Sequence, residues 1–334
     1  MSGNAPHPRE VFAYEGGQAV EEEFLKALDR GRMHHAWLLT GPEGVGKATF
    51  AYRAARRLLG AKPDADYGLL GSNPSDPVSR QVASRSHPDL LVLERETDDG
   101  KARKSIPVEE VRHLPEFFSK SPASAPFRVA IVDAADDLNI NAANALLKTL
   151  EEPPARGVLF LVAHQPGALI ATIRSRCRRL AFAPWKQERL EAFLAQHSPL
   201  DAASRAAIAR MAKGGPGRAL SLADSGALDA DKVAHEILSR LPDTDESALL
   251  AVADSFRGAE GQKRFELLFD RLGDQIRDMA LRAAETEGVT RDIDRWAEAW
   301  SVVQNAPGEA EAVNLDRADM LFTVIGRLKA AARA

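Results

Sequence analysis

Cysteine is nearly absent from this chain: Cys177 is the only one in 334 residues. A single thiol excludes an intramolecular disulfide and any zinc site of the four-cysteine kind, and it fits a reducing compartment. Aromatic residues are scarce too, at 6%. Trp37 falls in an apolar run that reads as buried strand, and Trp296 and Trp300 are spaced to share one helix face, so these rings suit packing better than base stacking. Neither sign of charge dominates, because 44 Lys and Arg stand against 48 Asp and Glu for a net charge of -4. That balance argues against a protein that coats nucleic acid through bulk charge, and any contact with DNA has to be local. Long hydrophobic runs are also missing. The longest, Val158 to Ala163, is far too short to cross a bilayer, and the amino-terminal MSGNAPHPRE lacks the apolar core of a secretory signal. A cytoplasmic protein without membrane contact is expected. What is present, 45% hydrophobic and 28% charged residues, suffices for two or three domains with their own cores.

The first half alternates short β-rich runs with helical patterns, the rhythm of a parallel sheet flanked by helices. Residues Ala36 to Thr40, Asp89 to Leu93, Arg128 to Asp133 and Val158 to Val162 predict buried strands. Between them Lys47 to Leu59, Val108 to Ser119 and Ala142 to Glu151 carry apolar residues at helical spacing. In the last of these Ala145, Leu146, Thr149 and Leu150 form one candidate buried face, and Pro153-Pro154 stops the helix. Past Pro184 the chain turns to helical patterns without a convincing strand, with breaks near 199, 214 to 217, 242 and 307. Phe265 to Ala280 reads as one amphipathic helix, and the turn-rich Pro63 to Pro88 as a surface insertion.

The sharpest motif is Gly41-Pro-Glu-Gly-Val-Gly-Lys47, between a predicted strand and a predicted helix. Gly41, Gly44 and Gly46 would let backbone N–H groups turn toward phosphate oxygens, the helix start adds its dipole, and Lys47 would reach the terminal phosphates. The motif is incomplete for metal. Ala48 stands where a Ser or Thr hydroxyl would ligate Mg²⁺, and Thr49 comes one residue late, about a 100° rotation away on a helix. Asp133, at the end of the third predicted strand, stands where a metal-holding aspartate is expected, but Ala134 follows it in place of a carboxylate that would polarise water. Asp136 and Asp137 read as turn or capping residues. Nucleotide binding stays possible on this reading, while hydrolysis by the chain alone is not expected. His34 and His35 would point to opposite faces of a strand with no third ligand near, so no metal site is expected.

Taken in order, these motifs resemble the clamp-loader branch of the AAA+ ATPases. The resemblance is sharpest at Asn144-Ala-Leu-Leu-Lys-Thr-Leu-Glu-Glu-Pro-Pro154 and Thr172-Ile-Arg-Ser-Arg-Cys177, with His34-His-Ala-Trp37 and His87-Pro-Asp-Leu90 in support. It covers roughly residues 5 to 225 by motif. It implies an α/β AAA+ module over 1–184, a small helical lid over 185–225 and an all-α collar domain over 226–334. It also implies that Ser175, Arg176 and Cys177 form the motif whose arginine reaches across a subunit interface to the γ-phosphate of ATP held by a neighbour. By spacing alone, Arg174, Arg176, Arg178 and Arg179 fit a solvated basic strand edge. The resemblance replaces that reading with Arg176 as an arginine finger, since a guanidinium keeps its charge and can hydrogen-bond two phosphoryl oxygens.

Three departures limit the transfer. The segment Gly60 to His87 lacks the four cysteines that commonly hold zinc in such proteins, so no zinc is expected. The sensor threonine at the end of the fourth strand is replaced by Ala163-His164, and in Gly214-Gly-Pro-Gly-Arg218 the second sensor arginine is displaced by one place. The resemblance thus implies a non-catalytic, stator-like subunit, with ATP or ADP held weakly or not at all. Its partners would be the gamma/tau ATPase subunits and a delta subunit in a five-subunit ring, with the sliding clamp and primed DNA met indirectly. As part of DNA polymerase III it would be neither the polymerase nor an independent ATPase. Two alternatives stay open at this stage: an active ATPase subunit of the same machine, and a general AAA+ adaptor outside replication.

Overall fold

The computed structural model describes residues 6–95, 105–258, 260–285, 290–312 and 315–333. The chain divides into two compact units, Met1–Ser221 and Leu222–Ala334. In the first, the order is α1 (Gln18–Asp29), β1 (Ala36–Thr40), α2 (Lys47–Leu58), α3 (Pro77–Ala83), β2 (Leu90–Glu94) and α4 (Val108–Ser119). Then follow β3 (Arg128–Asp133), α5 (Ile140–Glu151), β4 (Gly157–Ala163), α6 (Ala171–Arg176) and β5 (Arg178–Ala181). Three helices follow, α7 (Gln187–His197), α8 (Ala202–Met211) and α9 (Pro216–Asp224), the last of which runs past the boundary of this unit.

The five strands form one parallel sheet in the order β2-β3-β4-β1-β5. β1 lies between β4 and β5, with Leu38 opposite Leu161 on one side and Arg179 on the other. Every residue of β1 and β4 is buried, as expected for strands covered on both faces by helices. On one face Leu38, Ala130 and Leu161 pack with Leu114 of α4 and Leu146 of α5. On the other, Phe24 of α1 meets Trp37 and Phe50 edge-on at centroid distances of 5.3 and 5.7 Å, so Trp37 is core. This is the α/β module with flanking helices that the strand rhythm predicts, and four strands lie within one residue of their predicted bounds.

The fifth strand and two local readings differ. β5 carries Arg178 and Arg179 at the sheet edge, whereas Arg174 and Arg176 sit on α6, so the four arginines are not one strand edge. The Pro63 to Pro88 segment is more than a surface insertion, because Leu70, Ser72, Ser79 and Val82 are buried in it. Asp76 caps α3 by accepting from the N–H groups of Val78 and Ser79, and the Ser79 hydroxyl donates to Ser72 Oγ at 2.9 Å. Local caps and a small apolar cluster hold a stretch that has no metal-binding cysteines.

The second unit contains α10 (Ala227–Ser239), α11 (Glu246–Asp254), α12 (Gly261–Glu285), α13 (Thr290–Ala312) and α14 (Arg317–Arg333). No strand occurs among its described residues. Phe265, Phe269, Leu272 and Ile276 make the buried stripe of α12 against Ile237, Val303, Leu321 and Leu328 from three neighbouring helices. The break expected near 307 does not occur: α13 runs through Pro307. A proline removes one backbone donor, and burial of Ala306 and Ala310 on either side keeps the helix together by packing.

Candidate functional site

The Gly41–Lys47 loop joins β1 to α2, so it emerges at the carboxyl end of the sheet, where a parallel α/β fold places its ligand crevice. Gly44 and Gly46 adopt φ of +70° and +101°, backbone that an L side chain rarely enters. The space around them is filled as well. A Cβ at Gly44 would lie 2.2 Å from the Arg218 backbone nitrogen, and one at Gly46 would lie 2.6 Å from Cε2 of Tyr14.

Lys47 opens α2 and is 2% exposed. Its Nζ donates to the carbonyls of Gly41 and Pro42, both at 2.7 Å, and lies 2.9 Å from His164 Nδ1. An ammonium has three protons and no lone pair, so His164 is the acceptor and these three partners use its whole capacity. Burial pushes the Lys47 ammonium down to about 8, against the charges of Asp133, Asp136 and Glu43. Burial likewise raises the Asp133 carboxyl to about 6, opposed by Lys47. Asp136 accepts from the backbone N–H groups of His164 and Gln165 and so fixes the turn after β4, while Asp137 pairs with Arg95 at 2.8 Å.

Glycines, lysine and aspartate border one cavity of about 530 Å³. Gly44, Gly46, Lys47, Thr49, Asp133 and His164 supply its polar edge, and Tyr14, Trp185, Phe193 and Leu220 its apolar walls. Thr49 borders the cavity alongside Ala48, because the whole first turn of α2 abuts it. The start of α9 is seated on the loop. Gly217 N–H donates to Gly44 O at 2.8 Å, and Arg218 Nη1 pairs with Glu43 Oε2 at 3.0 Å, so this arginine engages the loop's own carboxylate. Tyr14 and Trp185 had no motif to announce them; only folding brings the amino-terminal segment and the chain after β5 to the loop.

The Ser175-Arg176-Cys177 motif does not border this cavity. Arg176 ends α6 with its side chain 37% exposed, its Nη2 3.1 Å from Glu151 Oε1 and its Nη1 donating to the Thr172 carbonyl at 3.2 Å. The Ser175 hydroxyl donates to the same carbonyl. Burial pushes the Cys177 thiol up to about 12, which keeps it protonated at neutral pH. The structure therefore keeps the two motifs apart, a loop turned in on itself and a partly exposed arginine at the end of α6.

Residues 16–186, just over half of the chain, match the family model described as DNA polymerase III, delta subunit. The chain belongs to this family. Within it, DNA polymerase III subunit delta' of Pseudomonas aeruginosa is 40% identical over 148 residues, 44% of this chain and 43% of that protein. Subunit delta' of Escherichia coli K12 is 31% identical over 231 residues, 69% of this chain and 67% of that protein. The E. coli tau subunit is 27% identical over 301 residues, 87% of this chain and 44% of that protein. The chain thus spans about half to two thirds of the length of these relatives. No helix among the described residues is long and apolar enough to cross a membrane.

Proposed function

We propose that this chain is the non-catalytic, delta-prime-like subunit of a clamp loader, which acts in the cytoplasm as a rigid stator and lends Arg176 to a neighbour's ATP site. Its partners are the gamma/tau ATPase subunits and a delta subunit in a five-subunit ring, which loads the sliding clamp onto primed DNA. Residues 185–225 act as the lid and 226–334 as the collar segment. The observation that carries this reading is the separation just described: an exposed arginine lies away from a loop whose lysine is occupied by its own backbone.

The residues present do not fit a Mg²⁺-bound nucleotide. Ala48 and Ala134 offer no side-chain oxygen, and the three protons of Lys47 are already engaged. ATP or ADP is accordingly held weakly or not at all, and no zinc is needed. Arg176 acts on a neighbour's phosphoryl group by charge and by paired hydrogen bonds. Supplied in trans, such a group is worth about 10³- to 10⁵-fold in rate.

The test is DNA- and clamp-stimulated ATPase activity of the reconstituted loader with wild-type chain, Arg176→Ala, Lys47→Ala or no chain, beside each chain alone. An inert isolated chain, a crippled Arg176→Ala complex and an unaffected Lys47→Ala complex are expected. Hydrolysis by the isolated chain that Lys47→Ala abolishes would show an active ATPase and overturn the stator reading.

A further inference from the structure

We infer that His164 is the residue that keeps the phosphate loop closed to nucleoside triphosphates, by holding the Lys47 ammonium against the carbonyls of Gly41 and Pro42. This deepens the reading that the loop binds nucleotide weakly, and it names the side chain responsible.

Three geometric facts carry it. The Lys47 contacts at 2.7, 2.7 and 2.9 Å use all three ammonium protons, so none is left for a phosphate oxygen. Two of the three acceptors are peptide carbonyls of the loop itself, which no substitution removes. The third is a side chain from the end of β4, 117 residues away in sequence, and it is the removable member of the set. His164 is also held in place. Asp136 accepts from its backbone N–H and from that of Gln165, which fixes the turn from which the imidazole projects toward Lys47. The ring serves as an acceptor because it is neutral: burial first, then the charge of Lys47, hold it below the usual histidine range, against the pull of Glu43 and Asp136.

A phosphate entering the cavity has to recruit Lys47 away from these partners. With His164 present it displaces a partly buried charge-assisted hydrogen bond and leaves an imidazole nitrogen unpaired. Without it, one ammonium proton is free and space opens at the end of β4. A hydrogen bond to a charged group is worth enough to shift binding by about tenfold or more.

The experiment is calorimetric titration of the full chain with ATP and, separately, with inorganic tripolyphosphate. The proteins are wild type, His164→Ala, His164→Thr and His164→Asn, and the first two variants combined with Lys47→Met. His164→Ala and His164→Thr are each expected to bind both probes at least about tenfold more tightly than wild type. Lys47→Met should abolish that gain. His164→Asn, whose amide oxygen can stand where Nδ1 stood, should bind as weakly as wild type. If the Ala and Thr variants match wild type, or if their gain survives Lys47→Met, the lock is overturned while the weak-loop reading stands. Tight ATP binding by the wild-type chain overturns both. Two variants of different size at position 164, each checked by its melting transition, keep the result independent of a single folding defect.

Discussion

The Arg176 guanidinium rests 3.1 Å from the Glu151 carboxylate, a pair that joins the end of α6 to the end of α5. Both partners are well exposed, at 37% and 52%, so the contact orients the arginine without burying it. Exposed pairs of this kind contribute about 0–1 kcal/mol.

Glu151→Gln is therefore expected to change unfolding free energy by less than about 1 kcal/mol, measured by urea titration. In the reconstituted loader it should leave ATPase activity near wild type, whereas the proposed function expects Arg176→Ala to cripple it. Equal losses from the two changes would mean that the ion pair, and not the arginine alone, is required.

Asp89 is fully buried and accepts from the N–H groups of Ala123, Ser124 and Ala125 and from Arg128 Nε at 3.1 Å. Burial pushes its carboxyl up, but those four donors together bring it below the usual aspartate range. Asp89→Ala leaves Arg128 with an uncompensated charge and should cost about 3–5 kcal/mol in urea unfolding. A depressed carboxyl stabilises the fold above its unfolded pKa. This contribution is lost as pH falls through its folded value, so the penalty of Asp89→Ala should shrink on acidification below about pH 4.

Asp133 has the opposite sign. Its folded pKa of about 6 lies above the unfolded value, so the folded state binds the proton more tightly. Wild-type stability relative to Asp133→Asn should rise as pH drops from 6 toward 4, by on the order of 1 kcal/mol, because the proton relieves the buried charge. Parallel melts of the two proteins at pH 7, 6, 5 and 4 check this, and a difference independent of pH would refute it.

Gly44→Ala combines left-handed backbone with a Cβ 2.2 Å from the Arg218 nitrogen. A loss of at least about 2 kcal/mol is expected. Hydrogen exchange should quicken around Gly217, whose N–H donates to the Gly44 carbonyl. Exchange there at the wild-type rate would show that α9 is not held by the loop.

The buried strands were legible because parallel strands covered on both faces read as unbroken apolar runs, as Val129 to Val132 and Val158 to Val162 do. β5 was not: only Leu180 of its four residues is buried, and two arginines hide it. The glycine loop, Asp133 and the missing metal hydroxyl could be read directly. The amino-terminal segment could not, because what fixes it looks like solvent-exposed helix. Arg53 and Arg56 are each 1% exposed. Their guanidiniums donate to the carbonyls of Phe12, Val11 and Arg9 and lie over the rings of Tyr14 and Phe12. Arg53 also pairs with buried Glu21 at 2.8 Å. In sequence, such arginines are indistinguishable from the solvated face of α2. The Lys47–His164 contact joins residues 117 apart and follows only from the β1-β4 pairing.

The half-buried position of Cys177 has a practical side. With its thiol held up at about 12, maleimide and iodoacetamide reagents will find almost no thiolate at neutral pH, and the chain has no other cysteine. One cysteine introduced at an exposed position such as Ile140, 72% exposed at the start of α5, would carry a fluorophore alone. The position of this chain in any complex it joins could then be followed by energy transfer with its native cysteine left in place.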